Sequence, residues 1–214
     1  MKKAIIFDLD GTLLNTLVDI AEAVNSVLVQ YDYPTHKENA YKKFIGNGIE
    51  VLAKKSAPNN ISDENFIKFL FDIKETYRQM QNTKTKPYQG ILDLLKQLNS
   101  NGVKIAILSN KPDEFMEATI NRYFSEIDFE IIFGSRKGVE PKPNPEALYE
   151  IFDILKLDKS DCFFVGDTST DIKTGVNAGL ESIGVSWGFR DIDELKLAGA
   201  KYIVNQPKEI LDLL

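Results

Sequence analysis

The sequence AIIFDLDGT, residues 4–12, is the strongest indication of the architecture. Its four leading residues are apolar and rich in β-formers, and an acid and the turn signal Asp10-Gly11 end the run. This pattern predicts a strand buried on both faces, as in the middle of a parallel sheet. Two carboxylates, Asp8 and Asp10, stand one residue apart where this strand should end. A charge at such a position is costly unless a metal ion or hydrogen bonds compensate it.

Apolar runs of the same kind return along the chain, and helical patterns lie between most of them. A leucine-rich helical stripe covers residues 91–98, and Asn144-Pro145 supplies an N-cap and a first-turn proline for a later one. Asp191 and Glu194 resemble a capping box. Such alternation predicts an α/β fold with a doubly wound parallel sheet, whose ligand site lies at the carboxyl ends of the strands. The further predicted strands are residues 103–108, 129–133, 162–165, 182–185 and 202–204.

The segment between Leu14 and about Pro87 does not fit this alternation, because it carries helical patterns and no convincing strand. Its length far exceeds the usual connection between parallel strands. Thr16 and Asp19 are placed as a capping box at the start of its first helix. We therefore expect a small helical domain inserted after the first strand. The predicted division is a catalytic core of residues 1–15 and 86–214 and a helical cap of residues 16–85.

The composition limits the classes of function. Acidic residues number 32 against 26 basic ones, a formal net charge of −6. That balance argues against nucleic acids and anionic membranes as partners, since both need a clustered positive field. No apolar run approaches the roughly 20 residues that span a bilayer. The single cysteine, Cys162, excludes an internal disulfide and indicates a reducing compartment, with the cytoplasm as the default.

Three further groups of polar residues lie near the ends of predicted strands. Ser109 and Asn110 directly follow one strand, and Asp167 and Asp171 follow another. Lys142 stands between prolines, which stiffen its loop. Each group alone also fits an ordinary turn or a helix cap. Together they offer carboxylates, a hydroxyl and an ammonium, a set that suits Mg²⁺ and a phosphoryl group.

The order of these motifs resembles that of the haloacid dehalogenase-like superfamily of phosphohydrolases. The resemblance covers the whole chain, and the helical insert is similar to that family's helical cap. The combination of four motifs is highly specific for the superfamily. The motifs are Asp-x-Asp-Gly-Thr at residues 8–12, the strand-end Ser109, Lys-Pro-x-Pro at residues 142–145 and Gly-Asp-x₃-Asp at residues 166–171.

Three shorter stretches resemble the phosphoglycolate phosphatase branch of this superfamily. They are residues 45–48 in the predicted cap, residues 109–112, and residues 184–189. One departure is Asn15-Thr16, where the branch usually has Asp-Ser. This difference affects the hinge at the start of the cap rather than the chemistry.

The resemblance implies a mechanism for these residues. Asp8 would form an aspartyl-phosphate, and Asp10 would act first as general acid and then as general base. Mg²⁺ would be held by the Asp8 carboxylate, the Asp10 backbone carbonyl and the Asp167 carboxylate. Asp171 would fix Lys142 by an ion pair or bind a water ligand of the metal. The predicted phosphate-binding residues are Gly11, Thr12, Ser109, Asn110 and Lys142.

The loop Gly46-Asn47-Gly48 is the candidate for contact with the organic part of the substrate, although its sequence also fits a helix–helix turn. We expect a small phosphorylated metabolite, with phosphoglycolate first and pyrophosphate, sugar phosphates and nucleoside monophosphates behind it. A sugar phosphomutase of the same superfamily would keep every core residue. A phospho-receiver domain fits less well, because of the large insert and the second acid beside the nucleophile. A dehalogenase is disfavoured, because its chemistry needs no Mg²⁺. The sequence leaves open whether the protein is a monomer or a homodimer.

Overall fold

The computed structural model describes residues 2–214, which contain eight strands and nine α-helices. Within that span no helix is both long and apolar enough to cross a bilayer. The strands are β1 (Ala4–Phe7), β2 (Leu14–Asn15), β3 (Lys86–Pro87), β4 (Lys104–Pro112), β5 (Ile131–Ser135), β6 (Cys162–Gly166), β7 (Glu181–Val185) and β8 (Tyr202–Val204). The α-helices are α1 (Leu17–Gln30), α2 (Glu38–Phe44), α3 (Ile49–Ser56), α4 (Asp63–Met80), α5 (Ile91–Ser100), α6 (Met116–Tyr123), α7 (Glu146–Leu155), α8 (Ser169–Ala178) and α9 (Ile192–Leu197). Short 3₁₀ turns cover Asp113–Phe115, Lys159–Asp161 and Pro207–Leu213.

Six parallel strands form one sheet in the order β5-β4-β1-β6-β7-β8, with β1 in its interior. All four residues of β1 are fully buried, which explains their unbroken apolar sequence. Because side chains alternate along a strand, Ile5 and Phe7 join the core on one face, and Ala4 and Ile6 join the core on the other. Helices α5 and α6 cover the first face, and α7 and α8 cover the second. The predicted doubly wound α/β fold is therefore confirmed.

Two strands differ from their predicted bounds. The strand predicted at residues 103–108 continues to Pro112, past an irregularity in its pairing with β5. The strand predicted at residues 129–133 lies instead at Ile131–Ser135. Phe129 precedes it and packs edge-on against Phe124 at 5.9 Å between ring centroids. The start of that apolar run therefore serves packing beside the sheet rather than the strand itself.

Helices α1 to α4 form the insert after β1 and share a hydrophobic core of their own, in which Tyr41 and Phe69 are fully buried. Phe115 and Phe189, from loops of the sheet domain, pack into the same cluster. The two ends of the insert pair as the antiparallel strands β2 and β3. These two-residue strands were not predicted from the sequence, because so short a run has no detectable periodicity. The division at residues 15/16 and 85/86 stays a prediction.

The capping box predicted at Thr16 and Asp19 is wrong. The Thr16 hydroxyl has no hydrogen-bond partner, and it does not cap α1. Asp19 is fully buried and accepts four hydrogen bonds from residues 83–85, the second linker, by which the chain returns from the insert to the sheet domain. The donors are Thr83 Oγ1 at 2.8 Å, Lys84 N at 2.9 Å, Thr85 N at 3.0 Å and Thr85 Oγ1 at 2.6 Å. The carboxylate therefore ties the second linker to the first helix of the insert, which a local cap pattern cannot indicate.

The two caps predicted in the core have different outcomes. Helix α7 begins at Glu146, whose N–H donates to Asn144 Oδ1 at 2.9 Å, so the asparagine closes the start of the helix one residue further out than predicted. The capping box predicted at Asp191 and Glu194 is wrong, since Asp191 makes no side-chain capping bond. Glu194 instead accepts a hydrogen bond from Ser169 Oγ at 2.6 Å, so it links α9 to the start of α8.

Candidate active site

The site lies where the neighbouring strands β4, β1 and β6 end. Because these strands are adjacent and parallel, their carboxyl ends meet at one edge of the sheet. Asp8 follows β1, Ser109 lies in the last part of β4, and Asp167 follows β6. A cavity of about 60 Å³ opens between this edge and the helical insert, which is room for about five waters. The predicted residues that line it are Asp8, Asp10, Gly46, Gly48, Ser109, Asn110 and Asp171.

Lys142 connects two of the carboxylates. Its Nζ donates to Asp8 Oδ1 at 2.7 Å, to Asp171 Oδ1 at 2.6 Å and to the Leu108 carbonyl at 3.0 Å. Burial alone would lower the pKa of the Lys142 ammonium, but the charges of Asp171 and Asp8 raise it above its ordinary value. The lysine is therefore a fixed positive charge beneath the cavity, and the structure contains the ion pair expected between Lys142 and Asp171.

Asp171 is held on its other side by the start of α8. Its Oδ2 accepts from Thr168 Oγ1 at 2.6 Å and from Thr168 N at 3.0 Å, and its own N–H donates back to Thr168 Oγ1. This reciprocal capping box leaves the carboxylate little freedom. A Cβ at Gly166 would lie 2.2 Å from the Cβ of Asp171, so only glycine fits there.

Asp167 is fully buried and equally constrained. Phe189 N donates to its Oδ2 at 2.7 Å, and Thr12 Oγ1 donates to its Oδ1 at 3.2 Å. Cβ atoms added at Gly11 and Gly188 would come within 2.3 Å and 2.2 Å of this side chain. Burial, followed by the charges of Asp171 and Asp8, raises the pKa of the Asp167 carboxyl well above its ordinary value.

Three of the acids form a candidate metal site. Oxygen atoms of Asp8, Asp167 and Asp171 lie within 4.8 Å of one another. The pKa of the Asp8 carboxyl is raised to about 7, chiefly by burial. The charge of Lys142 opposes this rise, and the charge of Asp171 adds to it. With Asp10 included, four carboxyl groups face only two buried lysines, Lys142 and Lys111, so with all four ionised the site would carry a surplus negative charge, which adds to burial in raising the pKa of Asp8 and Asp167. Hard oxygen donors with this surplus charge fit a divalent cation such as Mg²⁺.

The side chain of Asp10 lies outside this carboxylate cluster. Its two oxygens are 3.4 Å and 3.5 Å from Lys111 Nζ, which also donates to Tyr77 OH at 2.5 Å. Sequence reasoning did not select Lys111 or Tyr77 as site residues. A signal for Lys111 was present, because it directly follows Ser109 and Asn110, two residues that were selected, at the end of the same strand.

The predicted phosphate-binding residues differ in how far they are already engaged. Ser109 lines the cavity, and its Oγ accepts from Lys111 N at 3.2 Å, which leaves its hydroxyl hydrogen for another acceptor. The Asn110 side chain donates to the carbonyls of Gly46 and Lys142 and accepts from Lys142 N. It therefore holds the lysine loop and the insert in place. The phosphate-binding roles of all five residues, Gly11, Thr12, Ser109, Asn110 and Lys142, stay predictions, and the Thr12 hydroxyl is directed at Asp167.

The loop Gly46-Asn47-Gly48 connects α2 to α3 and also touches the core, so it is a helix–helix turn placed at the cavity. Asn47 Oδ1 accepts from Thr170 Oγ1 at 2.7 Å, and Arg190 donates to the Ile45 carbonyl at 2.8 Å. Gly46 and Gly48 have φ angles of 115° and 87°, where side chains are strained. A contact of this loop with substrate remains a prediction.

This chain is similar to known proteins over most of its length. A family model described as haloacid dehalogenase-like hydrolase matches residues 5–185 of the chain. The phosphoglycolate phosphatase of Pseudomonas syringae pv. tomato is 30% identical over 193 residues, which cover 88% of this chain and 71% of that protein. A crystal structure from Lactobacillus delbrueckii subsp. bulgaricus matches with a TM-score of 0.93 at 30% identity, covering 100% of this chain and 98% of the other. A "predicted phosphoglycolate phosphatase" from Haemophilus somnus matches with a TM-score of 0.92 at 27% identity, covering 99% and 97%.

Proposed function

Because this chain belongs to the haloacid dehalogenase-like hydrolases, we propose that it is a Mg²⁺-dependent phosphatase that hydrolyses a small phosphate monoester, 2-phosphoglycolate. The observation that carries the proposal is the position of Asp8. Its carboxylate stands at the end of the central strand, borders the cavity, and is held by the buried ammonium of Lys142 at 2.7 Å. A nucleophile oriented in this way is what phosphoryl transfer through a covalent intermediate requires.

Asp8 is the nucleophile of the proposed reaction. Its carboxylate attacks the phosphorus of the substrate, the bond to the leaving oxygen breaks, and an aspartyl-phosphate forms. Hydrolysis of this acyl-phosphate releases inorganic phosphate and regenerates the Asp8 carboxylate. Division into two steps replaces one difficult displacement by two easier ones.

Asp10 is the general acid and base. It borders the same cavity, and its side chain lies outside the carboxylate cluster, so it can face the leaving oxygen of the substrate. It protonates the leaving alkoxide in the first step and accepts a proton from the attacking water in the second. To do so, it exchanges its long contact with Lys111 for the reacting oxygen.

Charge at the phosphoryl oxygens is balanced by two groups of the chain. The Ser109 hydroxyl donates to one non-bridging oxygen, and the Lys142 ammonium compensates the charge of another. Mg²⁺ would be held by the carboxylates of Asp8 and Asp167 and the backbone carbonyl of Asp10, while Asp171 keeps Lys142 in place. When bound, the ion neutralises the surplus charge of the cluster and of the phosphoryl group.

Two observations favour phosphoglycolate among phosphate esters. The Pseudomonas syringae relative is named as a phosphoglycolate phosphatase, and the match covers the sheet and the insert alike. The cavity of about 60 Å³ suits a small ester better than a nucleotide.

The test is Mg²⁺-dependent release of phosphate from phosphoglycolate, pyrophosphate, glucose phosphates and nucleoside monophosphates in parallel. We expect kcat/KM to be highest for phosphoglycolate. Asp8→Asn should lower kcat at least about a thousandfold while circular dichroism shows an intact fold. The matched control is Asp153→Asn, which changes an exposed aspartate on α7 and should behave as the wild type.

The outcomes separate the parts of the proposal. A flat profile over all substrates would contradict the choice of phosphoglycolate and leave the phosphatase. Isomerised sugar phosphate without net phosphate release would indicate a mutase. Normal turnover by Asp8→Asn would refute the nucleophile.

A further inference from the structure

The wall that the insert contributes to the cavity is almost entirely apolar. Ile20 and Val24 come from α1, Ile49 and Leu52 from α3, and Ile73 from α4. The leaving group of a phosphate ester bound at Asp8 would face this wall. Apolar side chains select a leaving group by size, and they disfavour a charged one unless a partner of opposite charge lies beside it.

Among the described residues that line the cavity, one is cationic, Lys111, which lies on β4 beside this wall. Its side chain is only 3% exposed, and burial alone would lower its pKa. The charge of Asp10 and the contact with Tyr77 outweigh burial and raise the pKa above its ordinary value, so the group is an ammonium. Its counter-charge is poorly placed, since the Asp10 oxygens at 3.4 Å and 3.5 Å exceed the usual 2.7–2.9 Å of such pairs.

Two of the three donors of this ammonium are only weakly engaged. Its three N–H groups face three acceptor atoms among the described residues, Tyr77 OH and the two oxygens of Asp10, and the two Asp10 contacts are long enough for a closer anion to replace them. The other buried cation, Lys142, is committed to Asp8, Asp171 and the Leu108 carbonyl. Lys111 is therefore the positive charge available to a leaving group.

We propose that Lys111 is the specificity-determining residue of this cavity and binds a carboxylate on the carbon next to the ester oxygen of the substrate. The inference rests on the proposed phosphatase function and names the substrate class of the site. The leaving oxygen must lie within hydrogen-bond reach of Asp10, which is beside Lys111. A carboxylate one carbon away lies within roughly 3–4 Å of that oxygen by bond lengths, so the same substrate reaches both residues.

Tyr77 explains how the ammonium stays in place. Its hydroxyl accepts from Lys111 Nζ at 2.5 Å, and its ring lies 4.5 Å from the same atom. Because Tyr77 belongs to α4 of the insert and Lys111 to β4 of the sheet, the pair is formed only when the insert is seated on the core. The anion-binding group is thus completed by both parts of the fold.

A charge series of two-carbon esters tests the proposal. Phosphoglycolate carries a carboxylate, ethyl phosphate is neutral at that position, and phosphoethanolamine carries an ammonium. For the wild type we expect kcat/KM to fall in that order, with phosphoglycolate exceeding ethyl phosphate about tenfold to a hundredfold, as for a charge-assisted hydrogen bond. Lys111→Met should bring this ratio close to one. Lys201→Met, at an exposed lysine before β8, is the matched control and should keep the wild-type ratio.

Several results would overturn the assignment. A loss of equal size for phosphoglycolate and ethyl phosphate in Lys111→Met would show that Lys111 acts through Asp10 or through folding. If Lys111→Met does not fold, the wild-type series decides alone, and equal rates for the three esters refute the inference. Hydrolysis without preference leaves the phosphatase standing, whereas no Mg²⁺-dependent release from any ester refutes the proposed function as well.

Discussion

Replacing Asp19 by asparagine should destabilise the protein by about 2–4 kcal/mol, because four hydrogen bonds from the second linker end on this carboxylate. Hydrogen bonds to a charged acceptor contribute roughly 1.5–3 kcal/mol, and neutral ones contribute about half as much. Asparagine keeps one oxygen but places an NH₂ group against two of the four donors. With Asp19 fully buried, water cannot replace the lost acceptor.

The effect should depend on pH in a defined direction. Burial alone would raise the pKa of Asp19, but the hydrogen bonds from Thr85, Thr83 and the Lys84 N–H outweigh it and lower the pKa. A carboxyl whose pKa is lower in the folded state contributes stability that is fully present above its unfolded pKa, about 3.9. This contribution is lost as the pH falls through the folded value. The difference between wild type and Asp19→Asn should therefore be constant near neutrality and shrink below pH of about 4.

Calorimetric melting of both proteins between pH 7.5 and pH 3.5 measures this difference. For a chain of this size, 2–4 kcal/mol corresponds to a drop in Tm of roughly 5–15 °C. Asp153→Asn removes an exposed charge and should stay within about 0.5 kcal/mol of the wild type. An unchanged Tm for Asp19→Asn, or a deficit that persists undiminished at the lowest pH, would refute the reasoning.

Three further changes test the site. Gly188→Ala places a Cβ 2.2 Å from the Cβ of Asp167, so it should weaken Mg²⁺ binding, measured by calorimetric titration, and lower phosphatase activity at least about tenfold. The control is Gly138→Ala, whose added Cβ meets nothing within 4 Å. It should cost about 1 kcal/mol of stability and keep the activity. Lys142→Met leaves Asp8 and Asp171 without their shared partner and should lower kcat about a hundredfold; a rate within threefold of the wild type would contradict this. Tyr77→Phe removes an acceptor of Lys111 and should reduce the preference for phosphoglycolate over ethyl phosphate about two- to tenfold, whereas an unchanged ratio would show that the hydroxyl does not position the lysine.

The sheet was predictable from the sequence because its signals are local. Four apolar residues before Asp8 mark a strand that is buried on both faces, and the structure places that strand inside the sheet. Asp8, Ser109 and Asp167 then come together because parallel strands end on one side. These predictions need only the local residue pattern and the rule that parallel strands end at one edge of the sheet.

The errors share a different cause, which is contact between distant segments. Asp19 has the spacing of a cap, yet its partners lie 64 to 66 residues away in the chain. Lys111 meets Tyr77 across 34 residues and between two parts of the fold. Rules based on neighbouring residues cannot detect such pairs, and a local pattern such as Thr16 with Asp19 suggests a simpler role than the one the structure shows.

The short ribbon of β2 and β3 has a consequence for modularity. Leu14 pairs with Pro87 and Asn15 with Lys86, so the chain leaves and re-enters the sheet domain on two adjacent strands, which lie about 4.8 Å apart in such a ribbon. A two-residue turn can bridge that distance. Evolution or an engineer can therefore exchange everything beyond the ribbon for a shorter or longer segment without moving either end of the sheet. The insert can therefore be exchanged as a unit at this ribbon, and the order of the strands around Asp8 does not depend on which segment follows the ribbon.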